Sequence, residues 1–192
     1  MEELQNFNFT DLYEKIQMSD NDFDAWLEEL GLLHAKKTCK QCGGRTTLKV
    51  DNGHGRYGTW RCTTKNCRVS SGYLCGTFFE RRHLTTKQVF ELAYYWGQQF
   101  GTIKEIGFQT KISESAIIRM FDKFRDVCVK YLDENPIKIE EGIIDKKPDN
   151  RRRDNHKYQQ ELIWRTQFGD IRNVFYYLWK QISIFYPCER KE

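Results

Sequence analysis

Cys39-Lys40-Gln41-Cys42 and Cys62-Thr63-Thr64-Lys65-Asn66-Cys67 place two short-spaced cysteine pairs nineteen residues apart. Two thiolates on one tight turn can face a single tetrahedral ion, and a second pair completes a four-sulfur shell. Gly43-Gly44 directly after the first pair lets the backbone curl so that its N–H groups face the sulfurs. The pattern predicts that Cys39, Cys42, Cys62 and Cys67 bind one structural Zn²⁺. Four thiolates leave no open position for water, so the ion has no catalytic role. The C-x4-C half is longer than the commonest knuckle. Four packing cysteines are the alternative, but they do not account for pairing, glycines and strand layout together. Cys75, Cys128 and Cys188 lack paired spacing, and Cys128 falls on the core face of a helical pattern. His54, between Gly53 and Gly55, reads as a hairpin tip. Seven cysteines is an odd number, which fits thiols in a reducing compartment better than a disulfide framework.

The surroundings of the cysteines point to a small β module. Glycines cluster over residues 36–80, and Thr46-Thr47-Leu48-Lys49-Val50 and Tyr57-Gly58-Thr59-Trp60-Arg61 read as strands joined by a turn at Asp51-Asn52-Gly53. A module of this size cannot be held by a hydrophobic core alone, so the ion must replace one. The net charge of +4 hides a strong asymmetry: residues 1–35 carry nine acids against one base, and residues 36–72 carry nine bases against one acid. Lys40, Arg45, Arg61, Lys65 and Arg68 are therefore candidate phosphate contacts. A solvated charged face is the ordinary alternative. Tyr57 and Trp60, interleaved with the bases, read as exposed aromatics that can stack on single strands, which favours RNA as the alternative ligand.

The remainder of the chain has helical periodicity, giving an α+β fold that is mainly α. Two packing helices with acidic outer faces open it. In one, Phe9, Leu12, Tyr13 and Ile16 recur behind a cap at Thr10 or Asp11; the other starts near Ser19 and stops at Gly31. From Thr85 three helices follow: one with Val89, Ala93, Trp96 and Phe100 inward, a short one opened by the capping box Thr102-Ile103-Lys104-Glu105, and one capped by Ser113 with Ile117, Phe121, Phe124, Cys128 and Tyr131 on one stripe. A short helix, a tight turn and a longer helix follow the helix-turn-helix plan, whose last helix reads the major groove. Ser113, Ser115 and Arg119 then face base edges and Lys123 a phosphate. A plain helical bundle is the alternative. A linker over residues 136–154 contains Pro136, Gly142, Pro148 and Arg151-Arg152-Arg153, and residues 155–192 read as a helical hairpin with Ile171, Phe175, Leu178, Ile182 and Phe185 on its apolar stripe. The domain plan is thus an acidic preface (1–35), a zinc ribbon (36–80), a helix-turn-helix-like unit (81–135), a linker (136–154) and a hairpin (155–192). No apolar run is long enough to cross a membrane, and no secretory leader is present, so an intracellular protein is expected.

The order of these motifs resembles a known family. Trp26-Leu27, Gly31-Leu32-Leu33, Cys39-x2-Cys42, Trp60-Arg61-Cys62-x4-Cys67, Gly76-Thr77-Phe78-Phe79 and Tyr95-Trp96 are similar to the N-terminal region of Merlin-type DNA transposases and their bacterial insertion-sequence relatives. The tract from Tyr158 to Arg165, with Phe168, Phe175, Leu178, Ile182 and Tyr186-Pro187, resembles that family's extreme C-terminus. Such transposases use three acidic residues to hold two divalent metals on an RNase-H-type fold. Ile143-Ile144-Asp145 is similar to the strand bearing the first of these acids, but only twelve residues then separate Asp145 from Tyr158. A catalytic domain of that kind needs on the order of 100 residues. Asp149 and Asp154, in the Pro/Arg-rich linker, are not assigned as ligands.

The resemblance implies a transposase-derived protein that binds zinc and double-stranded DNA, lacks its own catalytic core, and is not an enzyme. Its expected partners are duplex DNA, a second copy of itself or a full-length transposase, with no membrane and no small-molecule substrate; in a eukaryote it is expected in the nucleus. The alternatives are the DNA-binding subunit of an active transposase and a zinc-stabilised RNA-binding or protein-interaction module.

Overall fold

A computed structural model describes residues 1–50, 58–80, 83–136 and 153–190. Among these are seven α-helices and one three-stranded antiparallel sheet, an α+β fold that is mainly helical. The helices are α1 (Phe9–Gln17), α2 (Asp20–Leu30), α3 (Thr86–Gln98), α4 (Ile103–Thr110), α5 (Glu114–Glu134), α6 (Arg153–Phe168) and α7 (Val174–Phe185). The strands are β1 (Thr46–Lys49), β2 (Thr59–Cys62) and β3 (Ser70–Gly72), in the order β1-β2-β3. The turn at residues 51–53, His54, Tyr57, Asp145, Asp149 and the first two arginines of the 151–153 run lie outside the described residues. The chain forms two compact units, one from Met1, Glu14–Lys87 and Ile182–Glu192, the other from Glu2–Tyr13 and Gln88–Gln181.

In the first unit α2 supplies the apolar base. Ser19 caps it, accepting from the Asp22 N–H at 3.1 Å, and Gly31 ends it in the left-handed region. Phe23, Trp26, Leu27 and Leu30 are buried at helical spacing. The acids of α2 do not form the uniformly solvated outer face expected from the sequence. Asp24 is buried and accepts from the Thr86 hydroxyl at 2.6 Å, Glu28 accepts from Tyr73 Oη at 3.0 Å, and Asp20 pairs with Lys87 at 2.9 Å. A buried carboxylate is tolerated only with such partners, so Asp24 and the half-buried Glu28 are internal ties, whereas Asp20 is exposed.

The sheet pairs Leu48 with Trp60 across β1–β2 and Trp60 with Ser71 across β2–β3. β3 has no counterpart in the sequence reading: Ser70-Ser71-Gly72 has little strand propensity and is extended because it pairs with β2. Trp60 is a correction. It is 5% exposed, its ring is stacked on Tyr73 at 6.4 Å, and its Nε1–H donates to the Tyr73 carbonyl at 3.2 Å, so it is core and offers no stacking face to a nucleic acid. β1 buries little, with Leu48 and Val50 beside it exposed. β1 therefore adds little to the core, which the sheet meets through Trp60 of β2.

The second unit is aromatic throughout. Phe7 stacks on Phe175 at 5.0 Å and Phe90 on Trp179 at 5.2 Å, while Trp96 meets Phe124 at 5.6 Å and Trp164 at 5.8 Å. Each fully buried ring contributes about 1.5–3 kcal/mol, with about 1 kcal/mol more for a well-placed ring pair. α3 is buried on two faces: Phe90, Leu92 and Tyr94 join the expected Val89, Ala93 and Trp96, whereas Phe100 is exposed. α3 stops at Gln98, earlier than the expected Gly101, with Gln99 already at φ +54°. On α5 the buried stripe runs through Ile117, Met120, Phe124, Val127, Cys128 and Leu132, and Phe121 and Tyr131 are half-buried at its edge. Thr102 and Glu105 form the expected capping box of α4. α1 is capped by Asn8 instead of Thr10 or Asp11: its Oδ1 accepts from the Thr10 and Asp11 N–H groups while its own N–H donates to Asp11. On α7 the buried stripe holds Phe175, Leu178 and Ile182, but Ile171 precedes the helix and is 63% exposed.

Candidate metal centre

The two cysteine pairs meet at the end of the sheet in the first unit. The Sγ atoms of Cys39, Cys42, Cys62 and Cys67 all lie within 4.8 Å of one another, with Cys39 to Cys67 at 3.8 Å and Cys42 to Cys62 at 3.5 Å. A tetrahedron with metal–sulfur bonds of about 2.3 Å has edges of about 3.8 Å, whereas a disulfide requires about 2.05 Å. The four thiols can hold a metal ion, and the Cys39–Cys67 and Cys42–Cys62 separations lie near the edge length of a tetrahedral thiolate shell.

Each pair sits on its own turn. In the first, the Gly43 N–H donates to the Cys39 carbonyl and the Cys39 N–H to the Gly44 carbonyl, both at 2.9 Å, and Gly43 takes φ +67°. A Cβ on Gly44 would lie 2.0 Å from Thr64 Oγ1 and 3.2 Å from Cys42 Sγ, so only glycine allows the two turns this close. In the second, Asn66 is left-handed at φ +68°, and the Cys67 N–H donates to the Thr64 carbonyl at 3.0 Å. Asparagine tolerates that conformation better than most residues. The two additional residues of C-x4-C thus build a wider turn that still returns Cys67 to the cluster. β2 delivers Cys62 at its last position, where its N–H donates to the Val69 carbonyl at 3.0 Å.

Donors around the sulfurs set their ionisation. The Thr64 hydroxyl, 3.5 Å from Cys42 Sγ, and the Gly44 N–H pull the Cys42 thiol down to about 6. The N–H groups of Cys42 and Gln41 lower Cys39. Cys67 moves the other way: the Val69 N–H favours its thiolate, but desolvation and the three neighbouring sulfurs outweigh it and push the thiol up to about 12. Four sulfurs at this separation cannot all ionise without a cation among them. Thr64 also donates its N–H to Cys62 Sγ at 3.4 Å. Sequence reasoning did not single out Thr64; its place between the second cysteine pair was the available signal.

Lys40, Arg45, Arg61, Lys65 and Arg68 all have exposed side chains on this module. In the second unit Ser113, Ser115 and Arg119 are exposed at the start of α5, and Lys123 is half-buried. Lys111, left-handed at φ +59°, turns the chain from α4 into α5, and Gly107 lets α4 approach so closely that a Cβ there would lie 3.1 Å from the Ile112 carbonyl and 3.6 Å from Ile117. Ser113 stands at the N-cap of α5 but makes no side-chain cap bond; its hydroxyl lies 3.5 Å from that of Ser115. No described helix is long and apolar enough to cross a membrane. No protein-family model, curated protein or solved structure matches this chain.

Proposed function

We propose that this chain is a zinc-stabilised DNA-binding protein of transposase descent that has no catalytic core of its own. The observation that carries the reading is the exposure of five bases, Lys40, Arg45, Arg61, Lys65 and Arg68, on a small sheet closed by four thiols. A thiolate-only tetrahedral shell suits Zn²⁺ among the common intracellular ions, and such a shell leaves the ion structural. Fixed cations on a rigid module contact phosphates at low entropic cost. The short α4, the turn at Lys111 and the exposed serines and arginine at the start of α5 support a helix-turn-helix role, with Ser113, Ser115 and Arg119 toward base edges. The burial of Trp60 removes one of the two aromatics that favoured single-stranded RNA. The twelve residues between Asp145 and Tyr158 leave no room for the remaining acids of an RNase-H-type site. Such a protein binds transposon ends, represses a related element or serves as a host DNA-binding factor, in the nucleus if the cell has one.

Selection from random duplexes followed by fluorescence anisotropy tests this. A salt-sensitive preference for one duplex motif, resembling a transposon end, is the expected result. Equal or tighter binding to single-stranded RNA would sink the DNA reading, and Mg²⁺- or Mn²⁺-dependent nicking by the purified chain would sink the non-catalytic one.

A further inference from the structure

The segment that follows α7 folds back, within the first unit, onto the residues leading into the metal centre. Tyr186 packs edge-on against Phe78 at 5.3 Å, and the Arg190 guanidinium donates to the Leu30 carbonyl at 3.2 Å. Glu189 is tied on both sides of its backbone: its N–H donates to His34 Nδ1 at 3.1 Å, and its carbonyl accepts from Ala35 at 3.0 Å. Its carboxylate is then delivered to Thr38, one oxygen accepting from the Thr38 N–H and the other from the Thr38 hydroxyl, both at 2.9 Å.

That carboxylate stands in a cleft of about 630 Å³ beside the first cysteine turn. Among the described residues lining it, Lys36, Lys37 and Arg45 are the bases and Glu189 is the acid. Thr38, Thr46, Thr47 and Thr63 supply hydroxyls. Lys37 is directed to the Cys75 carbonyl, while Arg45 is exposed. One backbone N–H and one hydroxyl on two oxygens of an anion, with cations around them, is the way proteins hold a phosphate.

We propose that this cleft seats a backbone phosphate of duplex DNA beside Arg45 and that Glu189, docked on Thr38, is a built-in anion that opposes it by charge. The proposal rests on the DNA-binding reading above and extends it by naming a seat and its opposing charge. A single carboxylate some 6–8 Å from a phosphate in a water-rich cleft weakens binding about two- to threefold. It also cancels about one phosphate contact, flattening the dependence of affinity on salt by about 0.9 in the log–log slope.

The test compares the metal-loaded full chain with E189Q, R45Q and the double variant, each checked for matching circular dichroism and metal content. Glutamine keeps the shape of the tail contact, since its carbonyl can accept from the Thr38 N–H and its amide can donate to the hydroxyl, so E189Q removes the charge and leaves the tail docked. Affinity is read by anisotropy for one duplex over a salt series and by calorimetry for inorganic pyrophosphate. E189Q is expected to tighten both ligands about two- to threefold and to steepen the salt slope, and R45Q to weaken both and abolish the gain. The proposal is overturned if E189Q matches the unmodified chain for both ligands, or if its gain survives R45Q undiminished. Salt-sensitive duplex binding that ignores both residues leaves the DNA reading standing and removes the seat. Absent duplex binding with pyrophosphate still tightened by E189Q retains the phosphate seat and removes the DNA reading.

Discussion

Thr64 and Gly44 favour the thiolate of Cys42, because a hydroxyl and a backbone N–H beside the sulfur stabilise it over the thiol. Cys67, crowded by three sulfurs, retains its proton until a cation offsets the charge. The signs give a direct prediction. At pH 7.5 Cys42, held at about 6, is already ionised, whereas Cys67, pushed up to about 12, is not, so binding one Zn²⁺ should release fewer than four protons. Lowering the pH through about 6 protonates Cys42, so the count should rise toward four and the affinity should fall. Calorimetry in buffers of differing ionisation enthalpy measures the count; four protons released at pH 7.5 would contradict the arrangement. The cysteines themselves were legible from spacing alone, since a turn of two to four residues brings its ends together whatever the rest of the chain does. Thr64 was not, because its role depends on the first turn arriving opposite it.

At the scale of elements, α5 and α6 are joined by charge as well as by rings. Glu161 on α6 accepts from Arg125 of α5 at 2.6 Å and from Arg165 one turn on at 2.8 Å, and all three side chains are largely buried. Arg165 goes on to cap α3, donating to the Trp96 and Gly97 carbonyls at 2.9 and 3.1 Å while its guanidinium lies 4.3 Å from the Trp96 ring centre. Removing the carboxylate leaves two arginines buried together without a counter-charge, so Glu161→Ala should destabilise the protein by about 3–5 kcal/mol. A drop of under 1 kcal/mol in urea unfolding would show that water replaces the carboxylate readily. Lys157, paired at 2.8 Å with both Asp122 and Asp126 but more exposed, should matter far less. The helices and the Thr102 capping box were legible because 3.6-residue periodicity and cap chemistry are local. This ion-paired triad spans 36 residues between Arg125 and Glu161, and nothing in either helix alone announces it.

On the scale of the molecule, the two units are held by different means. The unit containing the cysteines has a sheet whose first strand is largely exposed, and an ion held by the four thiols would tie that sheet together. The other has rings from α3, α5, α6 and α7 packed on one another. Chelating the metal should therefore expose the amides of β1, β2 and the two cysteine turns to rapid hydrogen exchange while those of α5 and α6 keep their protection. Undiminished protection of β2 after complete metal removal, verified by metal analysis, would refute a structural ion.

The sequence by itself determined what depends on near neighbours: the four clustered cysteines, two of the three strands, the helical segments, the Gly31 stop and the absence of an apolar span. Tertiary structure alone decided where the non-local partners lie. Trp60 reads as exposed between bases but is covered by Tyr73; Asp24 reads as solvated but meets Thr86; and Glu189, 151 residues from Thr38, takes an anion's place beside the first cysteine turn. The physical reason is the same in each case. Periodicity and spacing encode which face of a segment is apolar and which groups can share a turn, whereas burial, ion pairing and the occupancy of a cleft are properties of two segments together, set only when packing brings them into contact.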